Sequence, residues 1–133
     1  MAWGERVAFA MIYIKEAHAA DVWPIGDHLT IERPNEPKNN EDRIKNARDF
    51  LDVFGNFTWP VYIDTVANEF EKEFAPWPFR FYIIDSSMKV LWKAQPVADE
   101  CTYDTTDNPN GVEGKIKELL AAHTDTQQGQ ATS

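Results

Sequence analysis

The sequence has little cysteine and little positive charge, and both shortages narrow what the protein can do. Its one cysteine, Cys101, excludes an intramolecular disulfide and any Cys-x-x-Cys redox or zinc site. Thirteen basic residues against 22 acidic ones give a net charge of −9 at pH 7. Because nucleic acids and anionic membranes are bound through basic patches, we expect neither as a partner.

Long hydrophobic runs are also missing. The apolar stretch at residues 7–14 is far shorter than the roughly 20 residues that a membrane-spanning helix needs. The first residues do not show a basic segment followed by an apolar core and a small-residue cleavage site, so no signal peptide is expected. Together with the single cysteine, this pattern predicts a reducing compartment and a cytoplasmic protein.

Apolar and aromatic residues, by contrast, are plentiful. Hydrophobic residues make up 43% of the chain, with five Trp and eight Phe, which is enough for a packed core. A chain of 133 residues predicts one domain, and we place it at residues 1–122. Residues 123–133 are rich in Gln, Thr and Ser, so we expect a disordered tail there.

The order of apolar patterns predicts an α/β protein. Residues 7–14 are continuously apolar, which is typical of a strand buried on both faces in a parallel sheet. A helix is expected from an N-cap at Asn39 or Asn40 to Gly55, because its apolar residues recur at helical spacing. The later elements are predicted in this order: a strand at 60–64, a short helix at 67–74, a hairpin of strands at 79–84 and 90–93, and a helix from about residue 112.

The residues that follow the first strand carry the most specific signal. Residues 12–23 read Ile-Tyr-Ile-Lys-Glu-Ala-His-Ala-Ala-Asp-Val-Trp. This run resembles the signature of the iodothyronine deiodinases: tyrosine-isoleucine-x-glutamate-alanine-histidine, two residues, then aspartate-glycine-tryptophan. Further segments resemble the family in the same order, at 40–48, 59–68, 78–84 and 90–93, so the resemblance covers roughly residues 3–121.

The chain departs from the family pattern in three places. Val22 stands where the family has glycine, and an insertion of about ten residues, 29–39, follows His28. The segment at 94–99 lacks the family's glycines and any basic residue that would clamp a carboxylate. The resemblance therefore does not extend to recognition of an amino-acid-like substrate tail.

The resemblance implies a thioredoxin-like fold, a three-layer α/β sandwich, whose first strand and first helix would precede Met1. In that fold a selenocysteine or cysteine nucleophile lies at the N-terminus of the first helix, where the helix dipole lowers its pKa. We therefore expect the nucleophile upstream of this chain, encoded by an in-frame UGA codon if it is selenocysteine or by a cysteine codon. The implied activity is reductive dehalogenation of iodinated, iodothyronine-like phenols, with an external thiol as reductant and with no bound cofactor or metal.

Three residues near the end of the first strand are candidates for catalysis. His18 would hydrogen-bond the substrate phenol or relay a proton, since an imidazole is both donor and acceptor near neutral pH. Glu16 would hold the tautomer of His18, or belong to the proton relay itself, if both lie on one side of a continuing strand. The same alternation turns Tyr13 to the opposite face from Glu16, so only the family resemblance places Tyr13 in the site.

Three further residues are candidates for substrate binding. Trp77 lies between two prolines and would stack on an aromatic substrate, and Pro78 is a candidate cis-proline. His28 falls where the family has a second histidine and would hold a substrate carboxylate, and Trp23 is the third candidate for contact with the substrate. Each has a structural alternative, which is core packing for Trp77, plugging of the loop for Trp23 and simple solvent exposure for His28.

Two other functions stay open at this point. The same fold would suit a peroxiredoxin-like or disulfide-reducing thiol or selenol enzyme, which assays on peroxide would reveal. Alternatively, the chain would be a non-catalytic module that binds an aromatic ligand, or that dimerises through an exposed sheet edge and an uncovered apolar face. A homodimer is also what the family resemblance implies.

Overall fold

The computed structural model describes residues 4–24, 33–55, 57–97 and 102–130, with side chains up to His123. They belong to two compact units, Met1–Pro78 and Phe79–Ser133. The mixture of helices and strands is that of an α/β protein. In chain order, a 3-10 turn (Gly4–Arg6) precedes β1 (Met11–Tyr13), α1 (Asn40–Phe54), β2 (Val61–Ile63), α2 (Glu69–Phe74), β3 (Tyr82–Ile84), β4 (Val90–Lys93) and α3 (Val112–Gln130).

The first unit is built on a parallel pair of strands. Met11 pairs with Val61 and Tyr13 with Ile63, and the connection through α1 supplies the crossover that parallel strands require. The expected strand at 7–14, buried on both faces, is wrong in length and burial, since Ile12 is 38% exposed. The reason is that β2 offers only three residues for pairing, and within the described residues this sheet has two strands.

Helix α1 confirms the predicted helix almost to the residue. Asn39 is the N-cap, and its Oδ1 atom accepts a hydrogen bond from the backbone N–H of Asp42 at 2.8 Å. The Asp42 carboxylate in turn accepts from the backbone N–H of Lys38 at 3.1 Å, so two donors at the start of the helix are satisfied reciprocally. The helix ends before Gly55, as expected.

The buried face of α1 carries an arginine. Arg43 is 2% exposed, and its Nη1 atom donates to the carbonyl of Thr65 at 2.5 Å and to Oδ1 of Asn68 at 2.8 Å. The carbonyl of Asp64 lies 3.4 Å from the same nitrogen. One guanidinium therefore ties α1 to the segment that connects β2 with α2.

The start of α2 depends on a buried carboxylate. Asp64 is 7% exposed and accepts hydrogen bonds from the backbone N–H groups of Phe70 at 3.1 Å and Glu71 at 3.2 Å. The helix was expected from residue 67 but begins at Glu69. Asn68 before it has a left-handed backbone, with φ of 54°, which asparagine tolerates better than most residues.

The second unit contains the predicted hairpin. β3 and β4 are antiparallel, with Tyr82 opposite Lys93, although β3 is shorter than the expected strand at 79–84. The Asp85 carboxylate closes the turn by accepting from the backbone N–H groups of Ser87 at 2.8 Å and Lys89 at 3.0 Å. A hydrogen bond from the Ser87 hydroxyl, together with these backbone hydrogen bonds, lowers the pKa of Asp85.

Helix α3 is longer than the sequence pattern suggested. Its backbone stays helical through Gln130, whereas a disordered tail was expected from residue 123. A helix that is already nucleated gains one backbone hydrogen bond for each residue added, so polar residues can extend it beyond its apolar stripe. The single domain at residues 1–122 stays a prediction.

Replacing Arg43 tests its role in the first unit. We expect Arg43→Met to lower the free energy of unfolding by about 3 kcal/mol, since charged hydrogen bonds are lost and buried carbonyls are left unpaired. The measurement is urea unfolding followed by circular dichroism. Arg48→Met, on an exposed position of the same helix, is the matched control and should change the free energy by less than about 0.5 kcal/mol. Equal effects of the two substitutions would contradict the anchoring role.

Candidate functional site

The end of β1 brings Tyr13 and Glu16 together. The Tyr13 hydroxyl donates to Oε1 of Glu16 at 2.5 Å, so the expectation that they lie on opposite faces is wrong. Strand alternation stops at Tyr13, and the chain bends at Lys15, which turns Glu16 back toward the phenol. The family resemblance placed Tyr13 in the site, which stays a prediction, and the simple strand rule did not predict its hydrogen bond to Glu16.

An asparagine on α1 completes this hydrogen-bonded group. Asn46 is 9% exposed, and its Nδ2 atom donates to Oε1 of Glu16 at 3.2 Å. The same nitrogen donates to the carbonyl of Asn35 at 3.0 Å. Asn46 therefore uses both of its amide hydrogens to join the strand end, the helix and the loop that precedes the helix.

The environment of Tyr13 keeps its phenol protonated. Burial raises the pKa of Tyr13 far above its usual value, and the hydrogen bond to Glu16 raises it further. The ring also lies 5.8 Å from the ring of Phe50 on α1. The Tyr13 phenol is therefore held in its protonated form, in which it donates to Glu16.

His18 contacts Trp23 within the same loop. Their ring centroids are 4.6 Å apart, and His18 Nδ1 lies 3.3 Å from the Trp23 carbonyl oxygen. A carbonyl only accepts, so this contact favours the tautomer with the proton on Nδ1 and a lone pair on Nε2. The described partner of Nδ1 is thus the Trp23 carbonyl, which corrects the expectation that Glu16 holds the tautomer.

A groove of about 290 Å³ opens beside these residues. Trp23 and Trp77 both line it, with ring centroids 6.5 Å apart and planes inclined by 22°. The Trp77–Pro78 peptide bond is cis, as predicted. The other lining residues are Lys15, Glu16, Ala17, Ala19, Val22, Glu36 and Glu71.

The loop that precedes α1 forms one wall of the groove. Its backbone packs on the strand end, where the Ala20 N–H donates to the Pro34 carbonyl at 3.0 Å. The Glu36 N–H donates to the Asp21 carboxylate at 2.8 Å, and the Glu36 carboxylate lies 3.4 Å from Lys15 Nζ. Pro34 and Glu36 belong to the insertion at 29–39, so this departure from the family adds an acidic side chain to the groove.

Of the six candidate residues, five lie in this region. Tyr13 and Glu16 are joined by a hydrogen bond. The Trp23 ring contacts the rings of both His18 and Trp77. His28 lies outside the described residues, as does Cys101. The catalytic and binding roles of all six stay predictions.

Sequence reasoning missed Asn46, Glu36 and Glu71. A signal existed for Asn46, because it is a polar residue next to Ala47 on the face of α1 that its helical spacing turns inward. Glu36 sits in a loop and Glu71 in a short acidic helix, where glutamates are usually solvated. Only the tertiary structure shows that both line the groove.

The part of the chain that the structure describes contains no group of three or more His, Cys, Asp or Glu residues arranged to hold a metal ion. Within the same residues, no helix has the length and apolar character needed to cross a membrane.

Comparison with known proteins gives a consistent result. The sequence model of the iodothyronine deiodinase family matches residues 2–106. A curated relative, the type I iodothyronine deiodinase of Xenopus laevis, is 32% identical over 87 residues, which make up 65% of this chain and 32% of that protein. The matched part of the chain thus spans about a third of the length of this relative. No solved structure matches.

The buried phenol gives a test by alkaline titration. We expect Tyr13 to stay protonated well above the usual tyrosine pKa, because burial and the hydrogen bond to Glu16 raise its pKa, so absorbance at 295 nm should show a late step that coincides with unfolding. Unfolded Tyr13 would lose its proton near its usual pKa of about 10, so its raised folded pKa makes stability fall as the pH rises above that value. Tyr13→Phe should abolish the late step, and Tyr62→Phe, which removes an exposed phenol, should retain it. A late step that survives in Tyr13→Phe would contradict the buried hydrogen bond.

Proposed function

Because the chain belongs to the iodothyronine deiodinase family, we propose that it is part of an oxidoreductase that reductively removes iodine from iodinated phenols. The observation that carries this proposal furthest is the 2.5 Å hydrogen bond between Tyr13 and Glu16. It joins two residues of the family-like signature beside a groove with aromatic walls. Neither residue needs this contact to build the strand, which ends at Tyr13.

The proposed reaction has two stages. A selenolate or thiolate takes iodine from the aryl carbon, and that carbon receives a proton as its bond to iodine breaks. Two external thiols then reduce the selenenyl or sulfenyl iodide, which releases iodide and two protons, regenerates the selenolate or thiolate and forms one disulfide. The chain described here would contribute the proton relay and the residues that bind the substrate phenol.

We place the nucleophile in a segment outside these 133 residues. The one cysteine, Cys101, lies more than 80 positions after His18 in the sequence. The order of a parallel β1–α1–β2 unit, α2, an antiparallel hairpin and α3 supports a thioredoxin-like fold whose first strand and helix come earlier. In that fold the helix that carries the nucleophile would start beside the end of β1.

The described contacts suggest a division of labour among the catalytic candidates. The Tyr13 phenol, held protonated by burial, donates to Glu16 and fixes the position of that carboxylate. His18, with Nδ1 directed at the Trp23 carbonyl, keeps Nε2 for the substrate hydroxyl or for a proton. The rings of Trp23 and Trp77 would contact the aromatic ring of the substrate, and His28 would hold a polar substituent.

Several further features belong to the proposal. An external thiol would serve as reductant, no resident cofactor would be needed, and a reducing cytoplasmic setting would suit a selenol or thiol. A homodimer would cover apolar side chains that are exposed here, such as Ile12 and Tyr62 on the two paired strands.

The test uses the reading frame extended upstream of Met1. We expect a selenocysteine or cysteine codon there, and we expect the extended protein to release iodide from 3-iodotyramine in the presence of dithiothreitol. His18→Asn in that protein should lower kcat/KM by about a hundredfold or more, as loss of an acid–base group does. His123→Asn, which removes an exposed histidine from α3, is the matched control and should leave the rate unchanged.

An assay of hydrogen peroxide consumption distinguishes a deiodinase from a peroxiredoxin-like enzyme. Rapid consumption of hydrogen peroxide without iodide release would favour a peroxiredoxin-like enzyme over a deiodinase. Non-coding sequence upstream of Met1 would instead favour a binding module without its own nucleophile.

A further inference from the structure

The residues that line the groove beside Trp23 and Trp77 carry more negative than positive charge. Glu16, Glu36 and Glu71 line it together with one cation, Lys15. Lys15 is paired with Glu36 at 3.4 Å, and Glu16 accepts from Tyr13 and Asn46. Two of the three carboxylates are therefore satisfied by protein groups.

Glu71 is different. Its Oε2 atom is buried and has no hydrogen-bond partner among the described residues, although the side chain lines the groove. Leaving a buried carboxylate oxygen unpaired costs free energy, because the water that it loses is not replaced by a donor. A cationic group bound in the groove would offset that cost by stabilising the charge of the same carboxylate.

The aromatic walls point to the same kind of molecule. Trp23 is 56% exposed and Trp77 38% exposed, so both indoles offer surface to a ligand. The face of an indole attracts cations as well as aromatic rings. A groove with exposed indoles and an unpaired carboxylate combines the two features that recognise an aromatic amine.

We propose that this groove binds an aromatic ligand that carries an ammonium group, with its ring against Trp23 and Trp77 and its ammonium on the carboxylate of Glu71. The inference rests on the proposed function and names its substrate class as an iodinated phenol with a cationic side chain. A carboxylate tail would meet three glutamates at this place and would be repelled.

The size of the groove limits the range of possible ligands further. Small-molecule sites have volumes of roughly 300–1,000 Å³, and this groove, at about 290 Å³, is at the lower end. A ligand with one aromatic ring and a short side chain therefore fits better than a ligand with two rings.

The test is a set of three phenols that differ in the group at the end of a short side chain, and therefore in its charge. These are tyramine, which is cationic, 4-ethylphenol, which is neutral, and 3-(4-hydroxyphenyl)propionate, which is anionic. Dissociation constants come from the shifts of the indole N–H signals of the 133-residue chain in NMR titrations, assigned with Trp23→Phe and Trp77→Phe. We expect tyramine to bind about tenfold more tightly than 4-ethylphenol, as a hydrogen bond to a charged group provides, and the propionate to bind weakest.

Matched glutamate variants show which carboxylate binds the ammonium group of the ligand. Glu71→Gln has nearly the same shape, and it should reduce the preference for tyramine over 4-ethylphenol to less than about threefold. Glu73→Gln, on an exposed position of the same helix, should keep the full preference. If Glu71→Gln unfolds the chain, Glu36→Gln at the other wall provides a second variant, and it should reduce the preference in part.

The outcomes separate this inference from the proposed function, because binding needs no nucleophile. Equal affinity for the three probes, tighter binding of the propionate, or no binding at all would overturn the ammonium site and leave the deiodinase proposal standing. A preference for tyramine that depends on Glu71, in a protein whose extended form releases no iodide, would support the site and reject the reaction.

Discussion

The buried guanidinium of Arg43 is the contact on which the first unit depends. It binds the carbonyl of Thr65 and the side chain of Asn68, and so fixes α1 against the segment between β2 and α2. Asn46 lies three residues further along α1, on the same side of the helix, and it reaches the Glu16 carboxylate at 3.2 Å. The position of the candidate catalytic pair therefore depends on Arg43, because its hydrogen bonds hold the helix that carries Asn46 in place.

This reliance on polar contacts follows from a small apolar core. Among the described residues of the first unit, the fully buried hydrophobic side chains are two alanines, Ala19 and Ala47, which contribute little area. Buried hydrogen bonds to a charged group add modest net stability, but they are satisfied in only one arrangement and are costly to break. Such a network fixes geometry more than it adds free energy, which is what a site with a short Tyr13–Glu16 hydrogen bond requires.

How much could be predicted from the sequence depended on the range of the interactions. Helix α1 and the β3–β4 turn were predictable because Asn39 and Asp85 act on backbone groups within four residues. The extent of β1 was not predictable, because it is set by the length of its partner strand, β2. The burial of Arg43 could not be foreseen either, since a charged residue on a helix is usually solvated, and its partners lie more than 20 residues away.

The same distinction applies to the site itself. The signature at residues 13–18 named Tyr13, Glu16 and His18, but strand alternation gave the wrong face for Tyr13, because the strand stops there. The groove, in contrast, is assembled from a loop insertion that brings Glu36 and from a short helix that brings Glu71, and neither segment carries a signature. The residues of the signature and the acidic residues that line the rest of the groove thus come from different parts of the chain. A loop can change length and charge while α1 still holds the strand end, so substrate preference in this fold can diverge without disturbing the Tyr13–Glu16 pair.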